Sequence, residues 1–141
     1  MFDPLSDIGQ FSKKMTIAQV VKFFIKKEIG ITRAMVQNYI RIGIIPPPLE
    51  KRFYTHKHLA ALVLVDYLKT VFDMSEIKTA LAPHMDDEGL PLDFYADLVA
   101  SLETLSAKWK KALSPQFKDD GGLLLMAHAA EIKALAAHPR N

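Results

Sequence analysis

The sequence predicts a mainly α-helical chain: a helix-turn-helix head with a small β wing, followed by two C-terminal helices. Three observations carry that expectation. Residues 31–54, ITRAMVQNYIRIGIIPPPLEKRFY, read as a short helix, a glycine stop, a proline-stiffened bend and a basic, aromatic turn. Apolar residues recur at helical spacings on both sides of that stretch. The charge is divided: residues 11–69 hold eleven basic and three acidic residues, a formal +8, and the remainder holds seven basic and thirteen acidic, a formal −6. Such a split suits a phosphate-binding module joined to a separate pairing or control module.

At 141 residues, half of them hydrophobic, the chain has material for one modest core with a helical extension. It contains no cysteine, which excludes disulfides and thiolate metal sites. The N-terminus MFDPLSDIGQ lacks the basic, apolar character of a signal peptide. The apolar runs Leu59–Val65 and Leu123–Ala127 are too short to span a bilayer. A soluble cytoplasmic protein with no membrane partner is the expectation.

In chain order, residues 1–14 read as a flexible arm, with a turn signal at Asp3-Pro4 and Ser6, Gly9 and Ser12 breaking periodicity. A head domain is expected over 15–82. Thr16 and Gln19 form a capping box before a helix with Ile17, Val20, Val21 and Phe24 on its apolar face. Lys26 to Gly30 close it. Thr32 caps a second helix running to about Ile42, with Ala34 or Met35, Val36, Tyr39 and Ile40 facing inward, and Gly43 ends it. Pro46-Pro47-Pro48 extends the exit, and LEKRFYT (49–55) reads as a small hairpin with Lys51 and Arg52 near its tip. Thr55 caps a third, centrally buried helix through Leu59, Leu62, Val63 and Leu68. Asp73 or Ser75 caps a fourth, MSEIKTAL, packed through Met74, Ile77 and Leu81.

PHMDDEGLP (83–91) is a composition break and reads as an acidic linker. A helical hairpin is expected over 92–138. Its first helix carries a stripe from Tyr95 and Leu98 through Val99, Leu102, Leu105 and Trp109 to Leu113. Ser114-Pro115 and Asp119–Gly122 separate it from a last helix, Leu123 to about Ala137, apolar nearly all round and so expected to be buried in a bundle. Leu98, Leu102, Leu105 and Trp109 are the candidate dimerisation residues.

Arg33 lies in the first turn of the second helix, where a side chain in a major groove meets base edges and can bond guanine. Gln37 and Asn38 suit adenine or phosphate. Arg41, Lys51, Arg52 and Tyr54 suit the phosphate backbone, and Tyr54 serves equally as a packed ring. Tyr39 and Phe53 belong in the core. His56 and His58, two apart, point to different helix faces and share no metal. Neither a nucleophile triad, a phosphate loop nor a carboxylate pair stands out, so no enzymatic role, cofactor or metal is expected.

Several residues together resemble the MerR-type winged-helix regulators: Thr32 and Arg33 opening a helix that closes near Tyr39, Gly43-Ile44-Ile45-Pro46-Pro47, Arg52-Phe53-Tyr54, Thr55 with His58-Leu59, and Ser75-Glu76-Ile77-Lys78. The Met35–Tyr39 run, MVQNY, and the apolar C-terminal helix resemble still more closely bacterial proteins of the DUF1836 type, a likeness covering nearly the whole chain. The MerR-like resemblance implies a dimer on double-stranded DNA, with Thr32, Arg33, Gln37 and Asn38 in the major groove and the wing on the flanking backbone. It also implies transcription regulation, with RNA polymerase or a small-molecule effector as further partners. Gln37-Asn38 stands where the family pattern has Arg-Tyr, the first helix and turn are longer than usual, and the wing is short. A protein-interaction adaptor that keeps the fold without binding DNA is the competing expectation.

Overall fold

The computed structural model describes residues 3–117 and 122–137; the expected break at 119–121 and both chain ends fall outside them. Among the described residues there are six α-helices and no β-strand: α1 (Ile17–Lys26), α2 (Arg33–Arg41), α3 (His56–Leu68), α4 (Met74–Leu81), α5 (Leu92–Ala112) and α6 (Gly122–Ala137). The chain forms two compact units, one ending at Ser101 and the other starting at Leu102.

The helix starts follow side-chain chemistry. Thr16 N–H donates to Gln19 Oε1 at 2.8 Å and Gln19 N–H donates to Thr16 Oγ1 at 3.3 Å, the reciprocal box the sequence predicts. Asp73, rather than Ser75, caps α4, with Glu76 closing its box. The ends of α1 and α2 share one geometry. Gly43, at φ 80°, lets Ile44 N–H reach Tyr39 carbonyl and Gly43 N–H reach Ile40 carbonyl. In α1 the same left-handed position is held by Glu28 at φ 59°, with Ile29 N–H on Phe24 carbonyl, so Gly30 is not the stop.

α3 is the axis of the first unit. Every residue from His58 to Val65 is buried, so this helix must be apolar on all sides. Around it pack Val20, Phe23 and Phe24 of α1, Val36 and Tyr39 of α2, Ile77 and Leu81 of α4, and Tyr95 and Val99 of α5.

Three sequence expectations change. Residues 3–14 are not a free arm: Pro4 and Leu5 are buried, Tyr95 hydroxyl donates to Asp3 at 2.7 Å, and Lys27 pairs with Asp7 at 2.7 Å. Burial of Leu5 and two polar ties offset the entropy of ordering this segment. The acidic stretch at 83–91 is likewise docked. Leu90 is fully buried, its N–H donates to Lys57 carbonyl, and Asp86 pairs with Lys57 at 2.7 Å. Finally, α6 is not buried within the chain, since Leu123, Leu125, Met126, Ile132 and Leu135 are exposed, Leu123 by 79%.

Candidate nucleic-acid interface

The expected wing is a tight turn rather than a pair of strands. Leu49 and Phe53 exchange both backbone hydrogen bonds, at 2.7 and 2.9 Å, and Arg52 N–H also returns to Leu49 carbonyl. Pro48, with no N–H, cannot extend a ladder beyond Leu49. On the other side Tyr54 turns to Met15, again exchanging both bonds, at 2.9 and 2.7 Å. The chain between the partners is so short that Glu50 and Lys51 both adopt positive φ, 54° and 64°, the left-handed pair that a type I′ turn requires.

The Met15–Tyr54 bridge brings the turn against the starts of α1 and α2. Arg33 and Gln37 of α2, Lys51, Arg52 and Tyr54 of the turn, and Thr16 and Ile17 at the start of α1 line one open cleft of about 280 Å³. Arg33 and Gln37 are one helical turn apart and so share a face. Among the described residues no carboxylate pairs with Arg33, Lys51 or Arg52. Glu50, the nearest acid in sequence, faces Lys14 at 3.6 Å instead. Arg52 guanidinium lies 4.5 Å from the Phe53 ring centroid, with Lys14 at 5.6 Å, so the half-buried Phe53 is a platform for cations as well as a packed ring.

The other candidates are placed differently. Thr32 caps α2, its Oγ1 accepting from Met35 N–H at 3.2 Å. Arg41 donates to Asn38 Oδ1 on the exposed surface, and neither lines the cleft. Tyr54 is only 5% exposed, and its ring meets His58 edge-on at 5.3 Å. Burial raises the pKa of its phenol, opposed by the positive charge of Arg33, so the hydroxyl stays protonated and can donate.

His58 is the one buried polar side chain among the described residues, with no exposed surface. Thr55 N–H donates to its Nδ1 at 3.0 Å, and Pro47 carbonyl lies 3.1 Å from its Nε2. An amide can only donate and a carbonyl only accept, which fixes the neutral ring with hydrogen on Nε2. Burial lowers its pKa, outweighing Pro47 carbonyl and the nearby Glu88 and Asp86, which pull it up. His58 thereby ties the proline bend to the start of α3, directly behind Tyr54. Lys78 of α4 makes a similar tie, donating to Ile42 carbonyl at the end of α2 at 3.0 Å, where a cation also favours the helix dipole.

Sequence reasoning missed Thr16 and Ile17 as cleft residues and His58 as the brace. The capping box was legible, but its approach to Arg33 depends on the Met15–Tyr54 pairing, which has no sequence signal. Of the dimerisation candidates, Leu98 packs on the core of the first unit. Leu102 is half-buried, Leu105 is exposed, and Trp109 stacks on His128 of α6 at 5.6 Å. Among the described residues no three His, Asp or Glu side chains are grouped to hold a metal, and no helix is long and apolar enough to cross a membrane.

The helical first unit thus carries an open cleft lined by Arg33, Lys51 and Arg52 and by no carboxylate. The family described as Domain of unknown function (DUF1836) matches residues 8–98, and the chain belongs to it. The match covers α1 to α4, the turn and the first part of α5. No curated protein and no solved structure matches the chain.

Proposed function

We propose that the chain is a sequence-specific DNA-binding transcription regulator of MerR-like, winged helix-turn-helix type, acting as a cytoplasmic homodimer. The observation that carries this reading is the convergence of Arg33 and Gln37 from one helix face with Lys51 and Arg52 from the turn, in a cleft without a carboxylate. α2 is the reading helix, Arg33 and Gln37 meet base edges, and Lys51, Arg52 and the Tyr54 hydroxyl hold phosphates. Asn38 and Arg41 act beside the cleft on the flanking backbone. The lining offers donors and cations but no imidazole, thiol or carboxylate, which favours binding over acid–base chemistry.

Duplex binding across a salt series tests it. Affinity falls steeply with salt. Replacing Arg52 with Ala weakens all sequences alike and flattens the salt slope by about one unit, whereas Arg33→Ala costs ~1–3 kcal/mol and relaxes one base position. Salt-independent or absent binding, unchanged in both variants, sinks the reading. A second reading rests on the exposed apolar residues of α6: an adaptor that holds a protein partner and ignores DNA. Sedimentation of the chain alone separates the two, because paired half-sites need a dimer.

A further inference from the structure

We propose that the pocket between the N-terminal segment and α1 binds a small aromatic carboxylate. The pocket, about 240 Å³, is distinct from the cleft. Met15 and Phe23, both buried, and the half-buried Phe11 make its floor, with Phe11 and Phe23 edge-to-face at 4.9 Å. The exposed Gln19, Lys22 and Lys26, spaced along one side of α1, make its rim. The wall is fixed rather than loose, because Lys27–Asp7 and Tyr95–Asp3 hold the N-terminal segment in place.

The polar groups left available in this pocket all point to one ligand chemistry. Ser12 has no hydrogen to offer, since its hydroxyl donates to Lys14 carbonyl and also accepts from Lys14 N–H. Gln19 Oε1 is spent on Thr16 N–H. What remains is the Gln19 amide NH2 and the ammonium groups of Lys22 and Lys26, neither of which pairs with a carboxylate among the described residues. These are donors and two of them are cationic, so they favour a group that accepts and carries negative charge. The floor offers aromatic and thioether surface, which suits a ring. The volume exceeds the roughly 150 Å³ of a benzene-sized cavity, leaving room for one or two fused rings with a carboxylate at the rim. A bare phosphate gains nothing from such a floor.

The occupant touches Met15, whose N–H and C=O are both paired with Tyr54, a residue of the DNA cleft. Ligand binding therefore biases the cleft. This coupling rests on the DNA-reading proposal; occupancy of the pocket does not.

The test is a titration of the 15N-labelled full chain, without DNA, with 1-naphthoate, its neutral counterpart 1-naphthalenemethanol, and inorganic phosphate. Saturable amide shifts concentrated at 11–26 are expected, with the carboxylate at least about fivefold tighter than the alcohol, as charge-assisted contacts require. The Lys22→Gln/Lys26→Gln chain, altered only at exposed positions, keeps its spectrum and loses that preference. Equal binding of acid and alcohol, equal competition by phosphate, or shifts confined to α6 overturns the site. Duplex affinity is then measured with and without saturating naphthoate, and a change of about threefold or more is expected. An unchanged affinity overturns the coupling, whereas a chain that never binds duplex overturns the DNA reading and leaves the titration to decide the pocket.

Discussion

Glu28 closes α1 in a conformation that L side chains enter at a cost of roughly 1–2 kcal/mol. Glu28→Gly therefore raises stability by about 0.5–1 kcal/mol, the strain relieved less the entropy glycine adds to the unfolded chain; urea unfolding measures it. Gly89 is the opposite case. At φ 133° a Cβ there would sit 2.3 Å from Lys57 carbonyl oxygen, a backbone atom that cannot swing away. Gly89→Ala costs about 3 kcal/mol or more, from overpacking together with backbone strain. It also frees Leu90, visible as faster amide exchange there. His58 sets a pH dependence. Its folded pKa lies below 6.5, so as pH falls the unfolded chain takes up the proton first. The contribution is complete above 6.5 and is lost as pH drops toward the folded pKa. Unfolding at pH 7.5 and 5.5 shows this loss, and His58→Gln, which keeps an acceptor and a donor without titrating, removes the His58 part of it.

At the scale of elements, the turn at 49–53 lets stability and the proposed DNA binding be tested apart. Its two left-handed positions are held by Glu50 and Lys51, residues that a turn optimised for folding alone would replace with Asn and Gly. A charged residue in such a position is consistent with a functional demand on the side chain. Lys51→Gly is expected to stabilise the chain by about 0.5–1 kcal/mol while weakening duplex binding and reducing its salt slope by about one unit. A stabilised variant that binds DNA as well as the parent would remove Lys51 from the interface. α2 is braced at both ends, by the Thr32 cap and by Lys78 on Ile42 carbonyl. That fixes Arg33 and Gln37 on a rigid element, as the proposed reading role requires.

For the molecule as a whole, the two units differ in how well their apolar residues are covered. The first unit buries a continuous core around α3. In the second, Leu105 of α5 and Leu123, Met126 and Leu135 of α6 stay exposed, by 62, 79, 72 and 67%. Exposed apolar residues of this kind would suit the proposed pairing of two chains, in which a second helical hairpin from a partner copy would complete a four-helix bundle. Leu105→Glu with Leu123→Glu is expected to convert a sedimenting dimer to monomer and to weaken duplex binding, with the thermal unfolding of the head unchanged. A chain that is already monomeric at micromolar concentration would favour the adaptor reading.

The sequence by itself determined the six helices, the N-caps Thr16 and Thr32 and the stop at Gly43, because periodicity and capping act over a few residues and leave local marks; it left the α4 cap open between Asp73 and Ser75. It also located Arg33, Gln37, Lys51 and Arg52 as the basic, polar positions around the bend. Only the tertiary structure decided which of these meet. Met15–Tyr54 pairing drew Thr16 and Ile17 into the cleft, and packing buried the Tyr54 ring. It also turned the arm and the acidic stretch into docked segments, through Asp3, Asp7, Asp86 and Gly89. The physical reason is common to all of these. Each is a contact between residues far apart in sequence, made because burial of Leu5, Leu90 and α3 offsets the entropy of ordering the chain, and composition or spacing at one place carries no record of its partner at another.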